Sequence, residues 1–290
     1  MENDKNNEVI NLGAKSQVEK TVSALNNADI TPAIAAQLIP DSEFPVITET
    51  IDLPSGGVFY PDGQSQITVK QLTTDEEDIL TSESLIRAET VLDVLLDSSI
   101  INSDLNSENM IIGDKTFVLL YLRKEGYGDE YDVKMSCPEC SESFKNTVLL
   151  SNLAAKKLTV KPGADGLFSV KLPKTGWDVK FRMFTGKDEA FLVKKLKVQK
   201  KSKTGQSYSK GLTERYLLQI MSINGKTDKL DIQTAVSRMP ISDSLFLREF
   251  INEVSPGVNM EHNFTCTKCG HTYVEDVPIR ANLFWPNAKV

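Results

Sequence analysis

The sequence predicts an α+β fold that contains two tandem copies of one unit, each made of a strand, helices and a cysteine knuckle. The four cysteines of the 290-residue chain form two Cys-x-x-Cys pairs, and residues that alternate between apolar and polar lead into each pair. Such alternation is typical of a β-hairpin. A helical pattern and a glycine precede both pairs at the same distance. We therefore expect each pair at a hairpin tip, in equivalent places of two repeats.

The two pairs account for every cysteine in the chain: Cys137, Cys140, Cys266 and Cys269. Four thiolates are the tetrahedral set that a structural Zn²⁺ takes, and two spaced pairs can share one ion. Four sulfurs leave no position for water, so such a zinc would hold structure rather than activate a nucleophile. The predicted fold class is thus two tandem-duplicated strand-helix-zinc-knuckle units joined by one shared four-cysteine zinc ribbon.

The alternatives for these cysteines are two redox dithiols, two disulfides or four unrelated thiols. Redox motifs of this spacing normally open a helix after a strand, and neither pair does so. His271 lies beside the second pair and could compete as a ligand. Because four thiolates already complete the set, we interpret it as a surface histidine.

Composition limits the classes of function. The chain is 40% apolar and 25% charged, which allows a buried core in one large or two small domains. Its net charge of −7 argues against a general nucleic-acid binder, because phosphate neutralisation needs a basic surface. No apolar run is long enough to span a membrane, and no apolar signal core follows Met1. We expect a protein kept in a reducing cytosol, which favours thiolates over disulfides.

The predicted organisation has four parts. Residues 1–45 are expected to form a mobile N-terminal arm, and residues 46–150 the first repeat with the first knuckle. Residues 151–280 hold the second repeat with a lysine-rich insertion and the second knuckle. Residues 281–290 form a C-terminal tail.

Local signals place the elements of the first repeat. A short strand covers residues 67–70, and a capping box of Thr74 and Glu77 opens a helix. A second helix, with one buried face, lies near residues 91–96. Asp114 is predicted as the N-cap of a third helix, which leads to the first knuckle.

The evidence for duplication is a constant spacing. In each of eight pairs the second residue lies 129 positions after the first: Asp114 and Asp243, Phe117 and Phe246, Tyr121 and Phe250, Gly128 and Gly257, Cys137 and Cys266, Cys140 and Cys269, Phe144 and Tyr273, Val148 and Val277. Upstream, Asp75-Glu76 is matched with Asp188-Glu189 at a spacing of 113. Any two strand-helix-knuckle segments share apolar positions, but matched Asp, Gly and Cys favour duplication. One zinc would then lie on a pseudo-two-fold axis.

Two segments are candidates for partner binding. The lysine-rich insertion can be a docking site or a solvated helix end and loop; its candidate residues are Lys194, Lys195, Lys197, Lys200, Lys201 and Lys203. The tail is expected to expose its apolar residues unless they pack on the body or on a partner; they are Leu283, Phe284 and Trp285.

The sequence contains no catalytic constellation. Its two histidines, His262 and His271, both lie beside the second knuckle, which leaves no Ser-His or Cys-His arrangement. Residues 172–176 match the sorting pattern LPxTG, but they are internal. We expect no enzyme and no small-molecule substrate.

Several motifs resemble those of the baseplate hub and hub-assembly proteins of contractile-tailed bacteriophages like T4: Leu53-Pro54-Ser55-Gly56-Gly57-Val58-Phe59-Tyr60-Pro61, Ile67-Thr68-Val69-Lys70, Leu72-Thr73-Thr74-Asp75-Glu76-Glu77-Asp78-Ile79-Leu80, Leu122-Arg123, Tyr127-Gly128 and Cys137-Pro138-Glu139-Cys140. The resemblance covers about residues 50–280. It implies a structural or assembly role that depends on binding other baseplate and tail proteins. The implied locations are the host bacterial cytoplasm during assembly and the virion tail baseplate.

A different class of function stays open. A zinc ribbon with a lysine-rich segment could be an adaptor that binds nucleic acid or a polymerase, since ribbons serve both classes. Salt-sensitive binding to DNA or RNA would separate the two, and the acidic charge argues against it.

Overall fold

The computed structural model describes residues 45–101, 103–201, 210–279 and 281–284. The predicted N-terminal arm up to residue 44, Lys203 and Trp285 lie outside these residues. The described chain from Glu49 onward forms one compact unit, and it mixes helices with sheets as the sequence predicted.

The described residues 48–156 contain four α-helices, six strands and two 3-10 helices: β1 (Thr48–Asp52), a 3-10 helix (Pro61–Gly63), β2 (Gln66–Lys70), α1 (Thr74–Thr81), α2 (Glu83–Ala88), α3 (Val91–Ser99), β3 (Ile100–Ile101), α4 (Ile112–Tyr127), β4 (Glu130–Ser136), β5 (Ser143–Leu149), a 3-10 helix (Leu150–Asn152) and β6 (Ala155–Lys156).

The described second half continues with four α-helices and six strands: β7 (Phe168–Lys171), β8 (Asp178–Phe181), α5 (Gly186–Lys201), α6 (Gly211–Gln219), β9 (Ile220–Ile223), α7 (Lys229–Arg238), α8 (Ile241–Val254), β10 (Gly257–Val258), β11 (Glu261–Thr265), β12 (Thr272–Asp276) and a 3-10 helix (Ala281–Phe284).

The strands form small sheets, and the same two types of sheet occur in both halves. Each half has one three-stranded sheet, ordered β1-β2-β3 and β7-β8-β9, and one cysteine-bearing hairpin, β4-β5 or β11-β12. The strand β6 pairs antiparallel with β10. Buried apolar side chains from both halves join in a single hydrophobic cluster, so the halves share their core.

The helix α1 begins one residue earlier than its predicted capping box. The N-cap is Thr73, whose backbone N–H and hydroxyl both donate to Glu76 Oε2, at 3.1 and 2.8 Å. The other carboxylate oxygen of Glu76 lies 2.7 Å from Lys70 Nζ. The prediction of Thr74 and Glu77 was wrong because the buried, paired glutamate is Glu76, while Glu77 faces solvent.

The predicted N-cap role of Asp114 is also wrong. The helix α4 begins at Ile112, and Asp114 is its third residue and fully buried. Its carboxylate accepts hydrogen bonds from the backbone N–H of Ser55 at 3.0 Å and from Tyr60 Oη at 2.6 Å. The side chain therefore satisfies donors of a distant turn and not those of its own helix.

The same contact recurs in the second half. Asp243 is the third residue of α8 and is also fully buried. It accepts from the backbone N–H groups of Lys174 and Thr175, at 2.8 and 3.0 Å, and from the Thr175 hydroxyl at 2.7 Å. Lys174 follows a Leu-Pro pair, as Ser55 does. Each half thus fastens its Leu-Pro turn to the start of the helix that precedes its knuckle.

The cap of α1 has a counterpart before α5. The backbone N–H and hydroxyl of Thr185 donate to Asp188 Oδ2, at 3.0 and 2.9 Å, and Arg182 binds both oxygens of that carboxylate. These contacts match Asp188 with Glu76, which is a spacing of 112. The predicted spacing of 113 is corrected by one residue.

Candidate metal centre

The first cysteine pair lies at the tip of the β4-β5 hairpin, as predicted. The strands pair without interruption from Glu130 with Leu149 to Ser136 with Ser143. Cys137 N–H donates to Glu142 O and Ser141 N–H donates to Cys137 O, both at 2.9 Å. These two bonds fold the four-residue turn so that both sulfurs can face one point.

The second pair repeats this turn at the tip of β11-β12. Cys266 N–H donates to His271 O and Gly270 N–H donates to Cys266 O, again at 2.9 Å. Gly270 has a φ of 76° and Ser141, its counterpart, a φ of 61°. In both knuckles the residue directly after the second cysteine therefore has a left-handed backbone conformation. This residue is a glycine in the second knuckle and a serine in the first.

The two knuckles bring their four sulfurs together. Every Sγ of the set lies within 4.8 Å of the others. Cys137 Sγ lies 3.7 Å from Cys269 Sγ, and Cys140 Sγ lies 3.8 Å from Cys266 Sγ. All four thiols are free, so the disulfide alternative does not describe this structure. Tetrahedral ligands at the usual Zn–S distance of about 2.3 Å are about 3.8 Å apart. The cluster could hold a metal ion, and its spacing fits zinc.

The electrostatics of the cluster also suit a cation. Burial raises the pKa of Cys266, but the backbone N–H groups of Cys269 and Lys268 outweigh it and lower this pKa to about 7. The backbone at His271 lowers the pKa of Cys269, but burial and the three neighbouring cysteines raise it to about 12. Four neighbouring thiols thus resist full ionisation because the thiolates repel each other. A bound divalent cation would offset that repulsion.

Aromatic side chains pack the two hairpins against each other next to the sulfurs. The Tyr273 ring lies 6.5 Å from the Phe144 ring and 6.0 Å from the Phe264 ring. Tyr273 Oη donates across the hairpins to Ser136 O at 3.3 Å. His271 stacks on Tyr273 and is not part of the cluster of possible ligands. The site is closed by protein on the side of these rings.

The lysine-rich insertion begins inside α5, and two of its lysines have partners in the protein. Lys195 Nζ lies 2.5 Å from Glu214, and Lys197 Nζ lies 2.8 Å from Glu89. Lys194 is exposed and lines the cleft between α5 and α2–α4. Lys200 and Lys201 end α5. For Lys195 and Lys197, the solvated helix face with local ion pairs is the better description.

The C-terminal segment corrects a prediction. Leu283 and Phe284 are fully buried, so they are not free to bind a partner as proposed. The Phe284 ring meets the Tyr127 ring edge-on at 6.1 Å, and Leu283 O accepts from Arg123 Nε at 2.5 Å. The segment packs on the body, which was the other possibility, because α4 offers it an apolar face and a buried donor.

The sequence reasoning did not identify Arg123 as a structural centre. This fully buried guanidinium also donates to Gly128 O at 2.6 Å and Glu130 O at 2.7 Å. It therefore connects the end of α4, the start of β4 and the C-terminal segment. An arginine within a helix is usually exposed, so only the position of Leu122-Arg123 in the resembled motif could have drawn attention to it.

No helix among the described residues is long and apolar enough to cross a bilayer.

A family model described as T4 bacteriophage base plate protein matches residues 47–168, from the first sheet through the first knuckle to the start of β7. Neither the curated proteins nor the solved structures gave a match. The family match indicates a structural role in a phage baseplate. The predicted resemblance to T4-like baseplate proteins is therefore confirmed over residues 47–168, less than half of the chain, which are similar to the T4 bacteriophage base plate protein family.

Proposed function

We propose that the protein is a structural or assembly protein of a phage tail baseplate, either a hub component or a hub-assembly factor, that acts by binding other tail proteins. The observation that carries this proposal is the family match over residues 47–168, which includes Cys137 and Cys140. A non-enzymatic role agrees with it, because both histidines lie on the second hairpin with aromatic neighbours.

The metal centre is proposed to hold one structural Zn²⁺ through Cys137, Cys140, Cys266 and Cys269. The free thiols, the sulfur spacing and the all-sulfur donor set support this assignment. Each hairpin supplies two ligands, and two ligands do not complete a site. The ion would therefore join segments that are far apart in the chain, and its binding energy would become folding energy.

The two halves are proposed to be copies of one unit, residues 46–150 and 151–280, related by a pseudo-two-fold axis through the metal. Several contacts support the proposal. Asp114 and Asp243 hold equivalent turns, and Thr73 with Glu76 corresponds to Thr185 with Asp188. Superposition of α4 with its hairpin on α8 with its hairpin tests it, and unrelated packing of the two sets would contradict it.

The functional proposal is tested in the phage. Deletion of the gene should abolish infectious particles, and electron microscopy should show missing or defective baseplates. Complementation with the wild-type chain should restore them, whereas Cys137→Ser should restore them poorly at elevated temperature. Lys171→Glu, an exposed change away from the hairpins, is the control and should complement fully. Normal baseplates in the deletion phage would refute the proposal.

Two further measurements refine the assignment. Mass spectrometry of purified virions separates a hub component, which remains in the particle, from an assembly factor, which leaves it. Binding of the purified protein to DNA or RNA with strong salt dependence would favour the adaptor function instead.

A further inference from the structure

The second half carries an apolar groove between α6 and α8, which we name the α6–α8 groove. Its floor contains Leu212, Tyr216, Ile241 and Leu245, with Arg248 at one wall. Three of these apolar side chains remain open to solvent: Leu212 is 40% exposed, Leu245 43% and Ile241 80%. A cavity of about 240 Å³ here neighbours one of about 570 Å³, and both are lined by Leu212, Tyr216, Leu245 and Arg248. The two cavities therefore lie side by side.

The rim of the groove is basic in a chain that is acidic overall. Lys156, Arg215 and Arg248 line the larger cavity, and Glu249 is the one carboxylate in its lining. Neither arginine forms an ion pair with any carboxylate in the part of the chain that the structure describes. Arg215 instead donates to Gln219 Oε1 at 3.3 Å and covers the Phe184 ring. The carboxylate of Glu189 acts on Arg215 only at longer range than an ion pair, and Arg248 is exposed. Both guanidinium groups can therefore still donate to anions next to exposed apolar surface.

The first half has a corresponding helix pair. The helices α3 and α6 have nine residues each and run directly into the last strand of their sheet, while α4 and α8 share the buried aspartate. At matched spacings, the residues that correspond to Leu212, Ile241 and Leu245 are Leu92, Ile112 and Thr116. All three are half-buried, in contrast to their exposed counterparts.

One difference between the two faces is the helix α5, which lies across a cleft of about 860 Å³ from α3 and α4. It forms the opposite wall of the cleft over α3 and α4, through Ala190, Val193 and Val198. Ion pairs hold it there: Glu189 lies 3.0 Å from Lys115, and Lys197 lies 2.8 Å from Glu89. Along the described chain, the corresponding face of α6 and α8 leaves Ile241 and Leu245 exposed. In the first half, a helix with apolar and charged residues thus lies opposite this face across a cleft and is held by ion pairs.

We propose that the α6–α8 groove binds an amphipathic helix of a partner protein, with apolar residues on one face and carboxylates along its flank. The apolar face would cover Leu212, Ile241 and Leu245, as helices do in hydrophobic grooves. The carboxylates would pair with Arg215 and Arg248 in bidentate geometry. Beside the corresponding face, Glu189 of α5 makes a single contact with Lys115. This proposal deepens the proposed function, on which it rests, by naming the surface and the chemistry of the partner.

The test uses the full chain and two synthetic helical peptides of about four turns, roughly 14 residues. Both carry leucine at every third or fourth position; one has glutamate on the flank and the other lysine. Fluorescence anisotropy should show the glutamate peptide binding at least roughly tenfold more tightly. Arg215→Glu with Arg248→Glu should remove this preference, and Leu245→Asp should weaken the binding of both peptides. Lys171→Glu, an exposed lysine that does not line the groove, is the matched control and should change nothing.

Equal binding of both peptides, or wild-type binding by the groove variants, would overturn the proposal. So would a concentration-dependent dimer that Leu245→Asp dissociates, because the occupant would then be a second copy. Displacement of the glutamate peptide by a short single-stranded DNA would overturn it as well. Phage complementation distinguishes failure of the groove proposal from failure of the proposed baseplate function. If the gene is required but the groove variants assemble normally, the surface is wrong and the baseplate function stands.

Discussion

Asp114 and Asp243 occupy the same position in α4 and α8, and their ionisation is shifted in opposite directions. Burial raises the pKa of Asp114, and the hydrogen bonds from Ser55 and Tyr60 do not offset it. Burial also acts to raise the pKa of Asp243, but the Thr175 hydroxyl and the backbone N–H groups of Lys174 and Thr175 outweigh it, so that this pKa is lowered. At Asp243 the charge of Lys174 adds to these hydrogen bonds, whereas at Asp114 burial outweighs the donors.

These shifts predict opposite pH dependences for two asparagine variants. The raised pKa of Asp114 means that its contribution to stability is fully present below the unfolded pKa of about 3.9 and is lost as pH rises through the folded pKa. The lowered pKa of Asp243 means that its contribution is present above about pH 3.9 and is lost as pH falls. Hence the stability lost in Asp114→Asn should shrink as pH rises, and that lost in Asp243→Asn should grow.

Urea unfolding at several values of pH measures both differences. Titration of all other groups, including the cysteines, is shared with the wild-type chain and cancels in each difference. Slopes of the same sign for the two variants would show that the donors around the two carboxylates do not control their ionisation.

The sequence predicted those elements whose signals are local. The strand near residues 67–70, the helix near residues 91–96 and the two knuckle hairpins are all present, as β2, α3, β4-β5 and β11-β12. Their patterns of apolar residues and their turn residues lie within a single segment. The α+β class followed from the same signals, and the meeting of the four cysteines followed from the number of ligands that a structural zinc takes.

The errors concern side chains whose partners are far away in the chain. Asp114 is a good N-cap by type, but its donor Ser55 lies 59 residues earlier, so no local rule could assign it. Leu283 resembles an exposed tail residue until it meets Arg123, which lies 160 residues before it. Contacts of this kind depend on how the halves pack, which periodicity does not encode.

The metal centre predicts one zinc per chain. Elemental analysis of the purified protein should give a 1:1 ratio, and a chelator should lower the free energy of unfolding by several kcal/mol, since structural zinc contributes on the order of 10 kcal/mol in small modules. Cys137→Ser and Cys266→Ser should lose zinc and stability to a similar degree, because each removes one of four ligands.

His271→Ala is the control for the zinc prediction. It changes a residue next to the cluster but outside it, and the zinc content should remain one per chain. Zinc bound equally by wild type and both serine variants would exclude the four-sulfur site.

The left-handed turn residue predicts a stabilising substitution. Ser141 has a φ of 61°, which costs a residue with a Cβ roughly 1 kcal/mol. Ser141→Gly should therefore raise the free energy of unfolding by about 1 kcal/mol. Gly270→Ala, the reverse change in the other knuckle, should lower it by about 1 kcal/mol, because its Cβ meets no atom within 4 Å and only the backbone is strained. Thermal unfolding with zinc bound measures both, and a loss of stability in Ser141→Gly would contradict the equivalence of the knuckles.

The buried C-terminal segment predicts that Phe284→Ala damages the fold itself. The ring is fully buried against Tyr127, so its removal should leave a cavity and cost about 3 kcal/mol in urea unfolding. Arg123→Lys tests the same junction from α4, because lysine cannot donate to three carbonyl groups in the planar geometry of a guanidinium. It should also cost about 3 kcal/mol by leaving buried carbonyl groups unpaired. Wild-type stability of Phe284→Ala, together with defective baseplates, would instead restore the docking role that the burial of this residue argues against.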